Sequence, residues 1–187
     1  MIWSVILGMA GLVFLFYMIT DVKKNWWAVI PGLVLLGTGV TAILSVINFR
    51  YIDLIAGIIV LGSISLAFWV IYLLDVTRWW AIIPGGVMAI LSLISIYDEI
   101  PGSSGILDSG SLFFLGLGAT FGLVAVLPNG GKRMTWPWIP AGILLLLAML
   151  VSFTSSDMIS FVWPVVFIIA GAFLLIRALQ PGGQKNG

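Results

Sequence analysis

A chain of 187 residues that is 61% hydrophobic and only 8% charged, with mean hydropathy +1.23, carries more apolar side chain than a soluble core of this size can hide, so lipid must be its solvent. A net charge of +1, with no basic cluster beyond Lys23-Lys24 or Lys132-Arg133, leaves no electrostatic footprint for nucleic acid. The absence of Cys and His excludes disulfides, thiolate and imidazole metal sites, iron–sulfur clusters, covalent haem and an imidazole base, and no cofactor is expected.

A hydrocarbon layer roughly 30 Å thick takes about 20 helical residues, and backbone exposed to lipid must bond within its own helix. Seven apolar runs meet this length: 2–20, 26–48, 54–74, 79–97, 107–127, 136–153 and 159–179. The first lacks a basic leader, and its apolar stretch of about 18 residues exceeds the ~7–15 of a signal peptide, so it reads as a retained span. Connections are short, the longest being 98–106 with Pro101-Gly102-Ser103-Ser104-Gly105, which predicts antiparallel packing of consecutive spans and leaves no room for an extramembrane domain. The fold expected is an all-α, polytopic transmembrane helical bundle, with one domain over 1–179 and a flexible tail at 180–187.

The chain also repeats itself. Trp26-Trp27-Ala28-Val29-Ile30-Pro31-Gly32 returns as Trp79-Trp80-Ala81-Ile82-Ile83-Pro84-Gly85 and, more loosely, as Trp136-Pro137-Trp138-Ile139-Pro140-Ala141-Gly142. Each copy follows a charged or polar segment and opens an even-numbered span, so the unit is a hairpin of two spans, at about 1–48, 54–97 and 107–153. An even number of spans preserves direction, which makes these parallel repeats rather than inverted ones. The seventh span stands outside the scheme.

Orientation follows from Lys and Arg. One face receives Lys23, Lys24, Arg78, Lys132, Arg133, Arg177 and Lys185, and the other only Arg50, a count of seven against one. The positive-inside rule then places the N-terminus outside and the C-terminal tail in the cytoplasm. Asp53, Asp98, Glu99, Asp108 and Asp157 gather on the outer face, where they read as loop charge and helix caps rather than as a cation site.

Tryptophan prefers the headgroup level, where the ring is sheltered and the indole N–H stays wet, so Trp26, Trp27, Trp79, Trp80, Trp136 and Trp138 are expected to anchor the protein at the membrane interface. Two fates remain open for Pro31, Pro84 and Pro140. If Asn25 or Thr135 caps the helix, the proline lies more than a turn inside and kinks it; if the helix proper starts at the proline, no kink follows. Gly32, Gly85, Gly86 and Gly142 remove bulk immediately afterwards, and Gly118 and Gly122 form a Gly-x-x-x-Gly pair on one helix face, all candidates for close helix packing. The hydroxyls of Thr38, Thr41, Ser45, Ser63, Ser65, Ser92, Ser95 and Thr120 are expected to bond a carbonyl one turn back in their own helix rather than to line a substrate pathway. No Asp, Glu, Lys or Arg lies near the middle of a span, which argues against a pump or proton-coupled carrier.

The stretches Trp-Trp-Ala-Ile-Ile-Pro-Gly (79–85) and Trp-Pro-Val-Val-Phe-Ile-Ile-Ala-Gly-Ala-Phe-Leu-Leu-Ile-Arg (163–177) resemble small bacterial multi-spanning membrane proteins, among them the transmembrane region of LiaF-type envelope-stress proteins. That resemblance implies residence in the bacterial inner membrane. It transfers no functional residue, since the shared positions are anchors and packing residues. The expected role is that of a non-enzymatic accessory or scaffolding subunit of a larger membrane assembly, partnered by the bilayer and by other subunits or further copies of itself. The alternatives are a small channel for an uncharged solute, with a path along Thr38, Thr41, Ser92 and Ser95, or an envelope-stress regulator.

Overall fold

The structure, a computed structural model, describes residues 2–47, 49–99, 108–128 and 134–152. Of the two units into which the chain divides, Met1–Ser152 and Phe153–Gly187, all of these belong to the first. The expected seventh span at 159–179 and the tail at 180–187 lie outside the described residues.

Six α-helices follow one another: α1 (Ile2–Thr20), α2 (Val29–Val46), α3 (Ile52–Leu74), α4 (Ile82–Tyr97), α5 (Ser109–Val126) and α6 (Trp138–Ser152). Single 3₁₀ turns, Trp26–Ala28 and Trp79–Ala81, lead into α2 and α4. No strand occurs among the described residues. Five of the helical segments are long and apolar enough to cross a membrane, whereas α6, at 15 residues, is shorter. At 1.5 Å per residue α6 spans about 22 Å.

Local chemistry sets the ends of these helices. At the end of α1 the Thr20 hydroxyl and the buried Asn25 amide both donate to the Tyr17 carbonyl, at 2.7 and 3.1 Å, satisfying an acceptor that the helix leaves free. α3 stops where Asp75 turns extended, at φ −157° and ψ 101°. There the Asp75 carboxylate accepts both the N–H and the hydroxyl of Thr77, at 3.0 and 2.6 Å. α5 starts at Ser109, two residues after the 107 read from hydropathy, because Asp108 caps it by accepting the Ser111 N–H at 3.1 Å.

The proline question has a clear outcome. α2 begins at Val29, α4 at Ile82 and α6 at Trp138, so Pro31, Pro84 and Pro140 each occupy the third helical position. Proline's fixed φ suits the first turn of an α-helix, and the helical run continues through it, from Trp26 to Val46 and from Trp79 to Tyr97. Asn25 lies before the 3₁₀ turn and makes no side-chain cap. The extra turns Trp26–Ala28 and Trp79–Ala81 are closed by Ala28 N–H to Asn25 O and Ala81 N–H to Arg78 O, both at 3.0 Å.

Each helix packs on its neighbours in sequence, most extensively within the pairs α1/α2, α3/α4 and α5/α6. The arrangement is inverted relative to a soluble protein. Trp3, Phe16 and Leu73 are 78%, 70% and 73% exposed, while Ser65, Ser92, Ser111 and Thr120 are buried. Between 11% and 28% of each spanning window is buried. In water such a continuous apolar surface would aggregate; in a bilayer, lipid covers it. The chain is therefore an all-helical, membrane-embedded protein. Its one apolar core cluster, among the described residues, joins Val29, Ala67, Ile71, Tyr72, Ala81, Ile82 and Val124 near the starts of α2 and α4.

Replacing Pro31 with Ala should shift stability by less than about 1 kcal/mol, because the conformation suits both residues. Proline introduced at Leu35, inside α2, should cost about 3 kcal/mol or more. Thermal unfolding in detergent, followed by tryptophan fluorescence, distinguishes the two.

Candidate functional site

The motif copies share more than their sequence. Counting back from the proline, Trp27, Trp80 and Trp136 stand four residues before it, and Trp26 and Trp79 five before it, where the third copy has Thr135. The rings connect across copies in that register. Trp26 meets Trp80 with centroids 6.2 Å apart, and Trp79 meets Trp136 at 6.1 Å, both edge-on. The tryptophan five before the proline in one copy thus touches the one four before the proline in the next. These contacts bring the starts of α2, α4 and α6 together.

One tryptophan of each copy also meets an aromatic ring of the preceding helix. Trp27 lies edge-on to Phe14 and Tyr17 of α1, each at 6.3 Å. Trp80 meets Phe68 of α3, and Trp136 meets Phe121 of α5, both at 6.2 Å. Edge-to-face pairs of this kind contribute about 0.5–1.5 kcal/mol beyond the area they bury. Trp27, Trp80, Trp136 and Trp138 remain 40% to 56% exposed. Trp138 stands two before the proline, where the other copies carry the buried Val29 and Ile82. It lines a cavity of about 310 Å³ with Ala125, Val126, Met134 and Thr135.

One cation enters the row. The Arg78 guanidinium lies 4.5 Å from the Trp26 ring centroid and 3.5 Å from Asp75 Oδ2. Cation–π contacts contribute about 0.5–1 kcal/mol when exposed and more when desolvated. Thr77, through its hydroxyl and then its N–H, holds the Asp75 carboxyl below the ordinary carboxylate range, with Arg78 adding a smaller pull in the same direction.

The packing glycines divide sharply. A Cβ on Gly32 would lie 2.7 Å from Leu15 Cδ2 of α1, and one on Gly85 would lie 3.3 Å from Phe68 Cβ of α3. A Cβ on Gly86 would run into the Thr120 side chain of α5. Gly118 faces Leu145 Cγ of α6 at 3.0 Å, but Gly122 and Gly142 have nothing within 4 Å. The Gly-x-x-x-Gly pair is therefore split, one glycine in an internal contact and the other in open space.

Hydroxyls fill the same interfaces. Thr38, Thr41, Ser95 and Thr120 donate to carbonyls one turn back in their own helices, at 2.8 to 2.9 Å. Ser65 crosses from α3 to the Gly85 carbonyl at 2.8 Å, and Ser92 crosses from α4 to the Ile58 carbonyl at 3.4 Å. Ser63, bonded to its own helix at Val60 O, sits where a Cβ on Gly37 would fall. The sequence reading names Asn25 as a candidate cap and Arg78 as an orienting charge but not their contacts with Tyr17 and Trp26, and it misses the supporting rings Phe14, Tyr17, Phe68 and Phe121. The signal for those rings is only an aromatic residue 12 to 15 positions before a tryptophan of each copy, with Tyr17 closer still.

Comparison with protein families, curated proteins and solved structures finds no significant match.

Gly86→Leu should cost on the order of 1–3 kcal/mol through overpacking against Thr120, whereas Gly122→Leu should leave folding unchanged. Detergent-solubilised yield and midpoint of thermal unfolding, compared for the two variants, report the difference.

Proposed function

We propose that this protein is a non-enzymatic accessory or scaffolding subunit of a bacterial inner-membrane assembly. The supporting observation is how the interior is used. The buried and half-buried hydroxyls that would line a solute path, Thr38, Thr41, Ser92 and Ser95, each bond a backbone carbonyl. A polar group bonded to its own scaffold is satisfied and has less to offer a passing solute. What remains available is the surface, broadly apolar along the helices and aromatic where the motif copies meet.

The construction we infer is seven spans, six of them in parallel hairpins, with tryptophans anchoring one end at the interface. The ring contacts Trp26–Trp80 and Trp79–Trp136 support that reading, since they join corresponding positions of successive copies. The inferred orientation rests on the seven-to-one distribution of Lys and Arg and puts the tryptophan end in the cytoplasm. A chain without Cys allows a clean test. Single cysteines at Ser103 and Gly130, exposed to a membrane-impermeant thiol reagent in intact cells, should give labelling at Ser103 alone. Labelling at Gly130 alone inverts the orientation, and labelling at both revises the number of spans between them.

Affinity purification in mild detergent followed by a native gel tests the role itself. The protein should migrate in a complex larger than its 20.2 kDa monomer, with other membrane proteins in stoichiometric amounts or with further copies of itself. Migration as a monomer, together with uncharged-solute flux into proteoliposomes above that of empty vesicles, would replace this reading with a channel.

A further inference from the structure

A cavity of about 250 Å³ opens between the α1–α2 connection and the end of α3, lined by Val22, Lys23, Leu74, Asp75 and Arg78. We propose that it binds the phosphate of an anionic lipid headgroup, clamped between the Lys23 ammonium and the Arg78 guanidinium. Three independent features carry the assignment.

The first is charge that is free to act. Lys23 and Lys24 are exposed, and among the described residues neither forms an ion pair. The two carboxylates nearby are occupied by their own turns: Asp21 Oδ1 accepts the Lys24 N–H at 3.2 Å, and Asp75 Oδ1 accepts both donors of Thr77. Arg78 approaches Asp75 only at 3.5 Å, beyond good hydrogen-bond length, so most of its five N–H donors remain unspent. With three cations against two anions, the loop end is net positive.

Positioning is the second. The guanidinium rests on the Trp26 ring, and Trp26 is braced in turn by Trp80. An arginine fixed in this way presents a planar fork suited to phosphate at a smaller entropic cost than a freely moving chain.

Size and surroundings are the third. About 250 Å³ falls below the ~300 Å³ at which pockets take a drug-sized molecule, so it fits a headgroup phosphate but not a whole metabolite. Val22 and Leu74 form apolar walls, 37% and 42% exposed, that continue onto the apolar surfaces of α1 and α3. Acyl chains would lie on that surface with the phosphate at the tryptophan level. Basic residues at a membrane interface each contribute about 1 kcal/mol to anionic-lipid binding.

Native mass spectrometry of the full chain tests this with phosphatidylglycerol, phosphatidylcholine and inorganic phosphate as probes. Wild type should retain phosphatidylglycerol in preference to phosphatidylcholine. Lys23→Gln should reduce that retention about fivefold, and Lys23→Gln with Arg78→Gln should reduce it to the phosphatidylcholine level. Because Arg78 also packs on Trp26, the double variant is sensitive to misfolding; Lys23 is exposed and its single variant is not. Equal retention of the two lipids by wild type, or unchanged retention by Lys23→Gln, would overturn the proposal. Displacement of phosphatidylglycerol by millimolar inorganic phosphate, but not by chloride at equal ionic strength, would overturn the lipid source and assign the site to a soluble phosphate.

Discussion

Helices surrounded by lipid gain little by burying apolar surface against one another, so their association rests on how closely two backbones approach. Everything else in this array follows from that constraint. Gly11 sits against Gly32 and Leu36, Gly57 against Ser95, Gly37 against Ser63 and Gly86 against Thr120. At the last three of these contacts the partner is a small hydroxyl-bearing side chain, serine twice and threonine once, and that hydroxyl is bonded to a carbonyl of its own helix. Close approach and polar satisfaction are achieved by the same atoms, so these three hydroxyls do not stand unpaired in the hydrocarbon.

The seven-residue motif combines local and tertiary roles. Its alanine and the apolar residue after it, Ala28-Val29 and Ala81-Ile82, are fully buried and pack where the helix begins. Its proline occupies the first turn, which its fixed φ suits, and its glycine admits α1 in one copy and α3 in the other. The tryptophans extend sideways to the next copy. At the heads of α2 and α4 a short segment therefore combines the start of the helix with its contact to the preceding helix and to the next copy.

Much of this was legible in the sequence, for identifiable reasons. Span positions follow from hydropathy, because lipid imposes one length and one polarity on every helix, and six of the seven expected runs correspond to helices among the described residues. Boundaries shifted by a residue or two where capping overrode hydropathy, as at Asp108. The hydroxyls of Thr38, Thr41, Ser63, Ser95 and Thr120 were legible because a serine or threonine in a helix has a carbonyl one turn behind it; those of Ser65 and Ser92 depart from that expectation, because the fold brings a neighbouring helix's carbonyl within reach. The partners of Gly118 and Gly122 were not legible. Spacing within one helix places two glycines on a face, but only the path of α6 decides that Leu145 covers one of them. The site of Arg78 was unreadable for a related reason: Asp75 lies three residues before it and could be read locally, but Trp26 reaches it only through folding, and no periodicity links the two.

The tryptophan contact is directional, because the ring five before the proline in one copy reaches a ring four before the proline in the next. A head-to-tail contact of that kind has no built-in end and would accept further copies in series. The third copy carries Thr135 where Trp26 and Trp79 stand in the others. It receives a ring from the copy before it but has no ring at the position from which the first two copies reach forward, so the chain of contacts that the first two copies build has no donor at its third member.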